Sequence, residues 1–243
     1  MIVLFTDFGL AGPYVGQMRA VLAASAPGVP VIDLMHDAPA FRPRPAAYLL
    51  AALSDALPAD AVVVGVVDPG VGGDRPPVVV EADGRRFVGP GNGLFEVVVR
   101  RAAAARGFRI GWRPAALSPS FHGRDLFAPV AALLATGRPV ALEPADGLGR
   151  PDWPDDLAEV VYVDGYGNAM TGLRAATLPA DAVLAVAGRR LARQRTFGDA
   201  APGAPFWYAN SCGLAEIAVN RGRADHALGI AVGTPVAIAP NAA

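Results

Sequence analysis

The fourteen residues from Val62 to Arg75, VVVGVVDPGVGGDR, limit the choice of fold more than any other part of the chain. Five of the first six are valine, a run that reads as a strand buried on both faces. Asp68 and Pro69 stop the run, and Gly70, Gly72 and Gly73 leave the next loop wide backbone freedom. In an open α/β sheet, ligands lie just outside the carboxyl ends of the strands, which is where Asp68 and Arg75 would stand. The plainer alternative is an aspartate that caps its own loop, with Arg75 as a surface partner.

The flanking sequence supplies a sheet for this strand. Ile2 to Thr6 (IVLFT) reads as a short buried strand halted at Asp7-Phe8-Gly9, and Tyr14 to Ser25 places Tyr14, Met18, Val21 and Leu22 on one helical face. Val29 to Leu34 is expected as a strand and Arg44 to Leu57 as an alanine-rich helix. Strand, helix, strand, helix, strand is the order of a parallel sheet with helical crossovers, so the N-terminal part is expected to be α/β. Asp83-Gly84 between two apolar runs signals a hairpin. Leu94 to Arg106 reads as a helix, Phe108 to Trp112 as a strand, and Leu126 to Thr136 as a helix. Pro144 to Pro154, rich in proline and Asp-Gly, reads as a linker. Beyond it the apolar runs are short, among them Val160 to Val163, Phe206 to Ala209, Ile217 to Val219, Leu228 to Val232 and Val236 to Ala239. Their spacing is that of a small sandwich or barrel. The expected domains are therefore 1–148 and 156–243.

Composition narrows the function. With 243 residues, 53% hydrophobic, 18% charged and a net charge of -1, the chain has the profile of an ordinary globular enzyme or binding protein. Its cations are scattered arginines, so no nucleic-acid partner is expected. Lysine is absent, which removes Schiff-base chemistry and the P-loop. A single cysteine, Cys212, offers neither an internal disulfide nor a zinc spacing, and reads as a small buried packing residue. No apolar run reaches the roughly 18 residues of a membrane span, and the first residues lack a signal-peptide pattern. A cytoplasmic location is expected.

Four loops bring polar residues just after apolar segments: Asp7, Asp68 with Arg75, His122 with Asp125, and Asp164 with Asn168. If the first three strands are parallel, Asp7 and Asp68 emerge at one sheet edge, where carboxylates and a histidine could form an acid–base, ribose-binding or metal site. A metal site is the weakest of these and none is expected: zinc and iron sites draw on several His or Cys ligands and only His36, His122 and His226 are present, while the remaining alternative, magnesium on Asp7 and Asp68, has no phosphate-binding loop beside it. Asp7-Phe8-Gly9 lacks the Gly-rich loop and strand lysine of a kinase, and no G-x-S-x-G elbow accompanies Ser118, Ser120 and His122.

Taken together, TDFG followed by YVGQMRAVL, VVDPGVGGDR, GPGNGLF, SFHGRDLFAPVAALL, YVDGYGNAMTGL, TFGDA and NSCGLAEIAVNRG occur in an order that resembles the adenosine-forming S-adenosylmethionine (SAM) hydrolases. These are the SAM hydroxide adenosyltransferases, related to bacterial fluorinating and chlorinating enzymes. The likeness runs from about Thr6 to Gly222. It implies a Rossmann-like N-terminal α/β domain, a smaller C-terminal β-barrel, and a homotrimer with active sites between the N-terminal domain of one subunit and the C-terminal domain of the next. It implies no cofactor, SAM itself being the substrate.

The resemblance assigns catalysis to Asp68, Arg75 and His122. The halogenating relatives differ at the positions of Asp68 and His122, so both residues imply water rather than halide as nucleophile. Without them the reading would shift to a halogenase-like enzyme or a non-catalytic SAM or adenosine sensor. Asp7 is implied to hold the ribose hydroxyls, Phe41 and Phe121 to wall the nucleoside, and Phe197 and Asn168 to take the adenine. Asp164 would pair the methionine ammonium, Ser211 would donate to its carboxylate, and Tyr166 belongs to the same substrate-binding set. Three departures stand out: the Asp164 to Asn168 spacing is one residue shorter than in the halogenating relatives, Cys212 replaces an arginine near the methionine carboxylate, and Gly91 replaces a residue that is often Asp, a change expected to alter loop stiffness more than chemistry.

Overall fold

The computed structural model describes residues 1–145 and 149–239. Part of the expected linker and the expected end of the first domain at residue 148 lie outside them, as do residues 240–243 of the second domain. The chain divides into two compact units, Met1–Trp153 and Pro154–Ala243. The fold is mixed α/β, with several sheets and few helices.

The N-terminal unit contains β1 (Ile2–Thr6), α1 (Tyr14–Ser25), β2 (Val31–Met35), α2 (Pro43–Ser54), β3 (Val62–Val66), β4 (Pro77–Ala82), β5 (Arg85–Pro90), α3 (Glu96–Arg101), β6 (Ala105–Ile110), α4 (Ala128–Ala135) and β7 (Leu142–Pro144). Its strands form one seven-stranded sheet in the order β2-β1-β3-β5-β4-β6-β7. β1 pairs in parallel with β2 and β3, as the alternation of strands and helices predicts, and β3 also pairs in parallel with β5. Every residue of β1 and β3 is buried. Ile2, Leu4, Val62 and Val64 pack in one cluster with Met18 and Leu22 of α1 and with Phe127, Ala128 and Val130 to Ala132. Burial of each large apolar side chain there contributes about 1.5–3 kcal/mol, and this anchors the parallel strands whose carboxyl ends carry Asp7 and Asp68.

The outer half of the sheet is antiparallel. Asp83 (φ 46°) and Gly84 (φ 85°) make the tight turn between β4 and β5 that the Asp-Gly signal predicts. The expected helix over Leu94 to Arg106 is cut short, for α3 ends at Arg101 and β6 begins at Ala105. The Asp83 carboxylate accepts the backbone N–H groups of Ala103 and Ala104 at 3.1 and 3.0 Å, and Ala105 then pairs with Ala82. Those bonds override the helix preference of the alanines. A π-helical turn, Gly123–Phe127, precedes α4.

The C-terminal unit contains β8 (Leu157–Val163), β9 (Ala169–Arg174), β10 (Val183–Val186), β11 (Arg189–Leu191), β12 (Pro205–Ala209), β13 (Leu214–Val219), α5 (Ala224–Leu228) and β14 (Val236–Ala239). They form a four-stranded sheet, β12-β13-β9-β8, and a three-stranded one, β11-β10-β14; among the described residues no closed barrel forms. Leu228 to Val232, expected as a strand, instead ends α5 at Gly229 in the left-handed region and turns toward β14. Trp207 is fully buried in this unit and donates its indole N–H to the Ala182 carbonyl at 2.9 Å. No helix among the described residues is long and apolar enough to cross a membrane.

Candidate active site

The parallel register brings the ends of β1 and β3 together, and the Asp7 N–H donates to the Val66 carbonyl at 3.3 Å. Asp7 and Asp68 thus leave the same sheet edge, beside a cavity of about 360 Å3. Its lining includes Asp7, Phe41, Asp68, Phe121 and His122. This size is typical of small-molecule sites.

The loop after β3 returns Arg75 to Asp68. Arg75 Nε lies 3.0 Å from each Asp68 carboxylate oxygen, and Nη2 also donates to Oδ2. The same Nη2 stands 2.8 Å from His122 Nδ1. A guanidinium has no acceptor, so Nδ1 must accept, and the two hydrogens of one nitrogen bind a carboxylate and an imidazole. That contact assigns neutral His122 the tautomer protonated at Nε2. The Arg75 and Asp68 side chains are only 10% and 4% exposed. The Phe127 ring lies 5.3 Å from the guanidinium carbon and 6.4 Å from the His122 ring, centroid to centroid for the latter. Burial, and then the Arg75 charge, lower the His122 pKa from 6.5, while the Asp68 charge opposes them.

One glycine makes this arrangement possible. Gly72 has φ +78°, and a Cβ there would lie 2.4 Å from the Pro119 carbonyl oxygen, so the Asp68–Arg75 loop touches the loop leading to His122. Gly72→Ala is therefore expected to destabilise the protein by about 1–3 kcal/mol through strain and overpacking. Gly70→Ala, whose Cβ would meet only Arg75 Cγ at 3.8 Å, is expected to be tolerated. Denaturant midpoints of the two variants check this, and equal midpoints would count against the close loop contact. At Gly91, where a stiffness effect is expected from sequence, a Cβ would come within 2.9 Å of the Pro76 carbonyl oxygen, so close packing is the physical constraint.

Around this centre, Asp7 Oδ2 accepts the Phe41 N–H at 3.0 Å. Burial raises the Asp7 pKa; the Phe41 bond opposes that rise and the Asp68 charge adds to it. Phe41 is 76% exposed and holds φ 60°, a strained conformation for an aromatic residue that places its amide on Asp7. Phe121 packs edge-on against Phe8 and Tyr14, at centroid distances of 5.8 and 5.3 Å. Asp125 does not bond to Asp68, Arg75 or His122: it accepts from Arg124 and from the Ser118 N–H, fixing the loop that carries His122.

In the C-terminal unit, Asp164, Tyr166, Asn168, Phe197 and Ser211 line a cavity of about 750 Å3. Asp164 Oδ1 accepts the backbone N–H groups of Tyr166 and Asn168, both at 2.9 Å, and Oδ2 accepts Asn168 Nδ2 at 3.1 Å. Tyr166 is 81% exposed, whereas Asn168 is buried. Cys212, expected to be buried, is half-buried in the tight Asn210–Leu214 turn, with Sγ 3.9 Å from Ser211 Oγ. Sequence reasoning missed Tyr208, Asn210 and Glu216, which line the same cavity. Glu216 stands directly opposite Tyr208 in the β12–β13 register, a pairing available only once both strands are placed.

Comparison with known proteins identifies the family. The SAM hydroxide adenosyltransferase N-terminal domain model matches residues 2–143, and the corresponding C-terminal domain model matches residues 158–237. A (R)-S-adenosyl-L-methionine hydrolase of Thermus thermophilus is 43% identical, covering 97% of this chain and 98% of the relative. One of Salinispora arenicola is 41% identical, over 94% and 93%. Among solved structures, an uncharacterised conserved protein from Thermotoga maritima aligns with a TM-score of 0.88 at 30% identity, covering 97% of this chain and 98% of the other.

Proposed function

The chain belongs to the SAM hydroxide adenosyltransferase family, and from that premise we propose that it hydrolyses S-adenosyl-L-methionine at C5′ to adenosine and L-methionine. The observation that carries the reading is the single Arg75 nitrogen shared by Asp68 and His122. In SAM the leaving sulfur is already a sulfonium, so the C5′–S electron pair returns to sulfur without help from an acid. Water is the weak partner, and it needs orientation and a proton acceptor.

The three residues divide that work. His122, with Nδ1 occupied by Arg75, presents an N–H at Nε2 and so donates to the water oxygen. Asp68 keeps acceptor capacity at Oδ1 beyond its Arg75 Nε contact, and takes the water proton. Arg75 fixes both groups and offsets the Asp68 charge. The new C5′–O bond forms opposite the departing sulfur, and the proton passes from Asp68 to solvent. Asp7 receives the ribose diol; Phe41 and Phe121 flank the nucleoside. Phe197 and Asn168 take the adenine, while Asp164, Ser211 and Tyr166 face the methionine portion.

The finer organisation is part of the same proposal. The N-terminal domain, 1–148, serves as a Rossmann-like frame, and the C-terminal domain, 156–243, as a barrel-like one. A cofactor-free homotrimer joins the first domain of one subunit to the second domain of its neighbour. The single cysteine fits a cytoplasmic location.

Purified protein incubated with SAM should release equimolar adenosine and methionine, followed by chromatography. Because the relatives' names specify the (R) sulfonium epimer, an epimeric mixture and pure (S) material are compared. Absence of adenosine from both would overturn the reading, and a 5′-halogenated adenosine on adding chloride or fluoride would replace it with halogenation. Light scattering tests the trimer, and turnover in a chelator tests freedom from metals.

Protonating His122 puts a hydrogen on Nδ1, against the Arg75 guanidinium, and breaks the shared contact. Turnover is expected to be flat above about 6.5 and to fall by about tenfold per pH unit below the lowered His122 pKa. The unfolded chain takes up this proton first. The His122 contribution to stability is therefore complete above the unfolded value and is lost as pH falls toward the lowered folded one. A pH–rate profile that rises as the solution is acidified would contradict the tautomer assignment.

A further inference from the structure

Glu216 lies on β13, 2% exposed, without an arginine or lysine in contact with its carboxylate among the described residues. Two neutral donors hold it instead: Tyr208 Oη at 2.6 Å on Oε1 and Asn210 Nδ2 at 2.7 Å on Oε2. A buried carboxylate is costly unless its hydrogen bonds are made, so both donors are fixed in place by it. Burial raises its pKa, and the nearby Asp164 charge adds to the rise.

Each donor leads to a different part of the cavity. The Tyr208 ring packs against Phe197 at 5.3 Å, and both line the cavity. Asn210, with Nδ2 on Glu216, points Oδ1 at the backbone N–H groups of Cys212 and Leu214, at 3.0 and 2.9 Å. Those two bonds shape the turn that presents Ser211. Glu216 is thus the common support of an aromatic wall and of a hydroxyl-bearing turn.

We propose that Glu216 is a positioning residue that holds the nucleobase wall and the amino-acid turn in register for one ligand. The inference rests on the SAM reading above, in which Phe197 meets adenine and Ser211 meets the methionine carboxylate. Glu216→Gln tests it because a glutamine can satisfy only one partner as found. Its Oε1 can accept from Tyr208, but its NH2 then faces the Asn210 NH2. An Asn210 flip would relieve that clash by withdrawing Oδ1 from Cys212 and Leu214.

Adenosine and L-methionine are titrated separately by calorimetry against the wild type, Glu216→Gln, Tyr208→Phe and Asn210→Ser, alongside steady-state turnover of SAM. Tyr208→Phe should weaken adenosine by about three- to tenfold and leave methionine unchanged, with the reverse for Asn210→Ser. Glu216→Gln should weaken methionine about tenfold and raise KM for SAM by at least that factor, with kcat changed less than threefold. Should Glu216→Gln not fold, the opposite selectivities of the other two variants carry the test. Overturning results are a lowered melting temperature with both affinities intact, or Tyr208→Phe and Asn210→Ser weakening both ligands alike. If the wild type binds adenosine and releases it from SAM while the Glu216 variant matches it, only the positioning role falls. If the wild type neither binds nor forms adenosine, the SAM reading falls first and this inference with it.

Discussion

Asp68→Asn is expected to slow adenosine release by about 10²–10⁴-fold, the range spanned by a positioned proton acceptor. The substitution keeps the size of the side chain but removes the charge that Arg75 Nε and Nη2 grip. An asparagine oxygen can still accept one of those bonds. Its NH2 group would face the guanidinium, and it cannot take a proton from water. Arg75 then retains His122 as its remaining charge-free partner, so the imidazole stays in place while the acceptor is lost. Single-turnover release of adenosine measures the chemical step directly, and binding of SAM should change far less than the rate. A variant within tenfold of the wild type would move the proton acceptor elsewhere, with His122 as the next candidate.

That proposed division of labour is not readable from residue types, and its members are singled out by the family resemblance. VVVGVV and IVLFT are short apolar runs bounded by turn residues, and the helices between them show 3.6-residue spacing, so the parallel β2-β1-β3 core and its carboxyl edge were legible. Alanine misled at 102–106, because a good helix former is overruled there by the Asp83 carboxylate and by pairing with β4. In LAEIAV, residues 214–219, strand alternation makes Glu216 look solvent-facing, yet all six residues are buried. Its partners come from β12 and the turn at Asn210, so only the register reveals them. Asp164, Asn168, Phe197 and Ser211, which the motif series assigns to the substrate, line one cavity; loops of this kind carry the most distinctive residues. The His122 tautomer depends on a 2.8 Å contact, and no spacing in the sequence encodes that.

Arg75→Met should be the most destabilising change at this centre. It leaves the Asp68 side chain, 4% exposed, as an uncompensated buried charge, at a cost of about 3–5 kcal/mol. Methionine can still pack against Phe127, whose ring lies 5.3 Å from the guanidinium carbon, so the loss is electrostatic more than volumetric. Combining Arg75→Met with Asp68→Asn removes the charge that was left behind, and most of the stability is expected to return, although turnover is not. Arg75→Lys separates charge from geometry: the ammonium compensates Asp68 but lacks the planar fork that grips it along one edge while reaching His122. Stability should therefore recover further than rate. Removing the Arg75 charge also removes one of the two main causes that hold the His122 pKa down, so the acid limb of the pH–rate profile should move upward toward 6.5 in the surviving activity of the methionine variant, and far less in the lysine variant, which keeps the charge. Denaturant unfolding of the wild type, Arg75→Met, Asp68→Asn and the double variant gives the coupling energy. A double variant no more stable than Arg75→Met would show that Asp68 is not buried charge held by Arg75, and the shared-nitrogen mechanism would lose its basis.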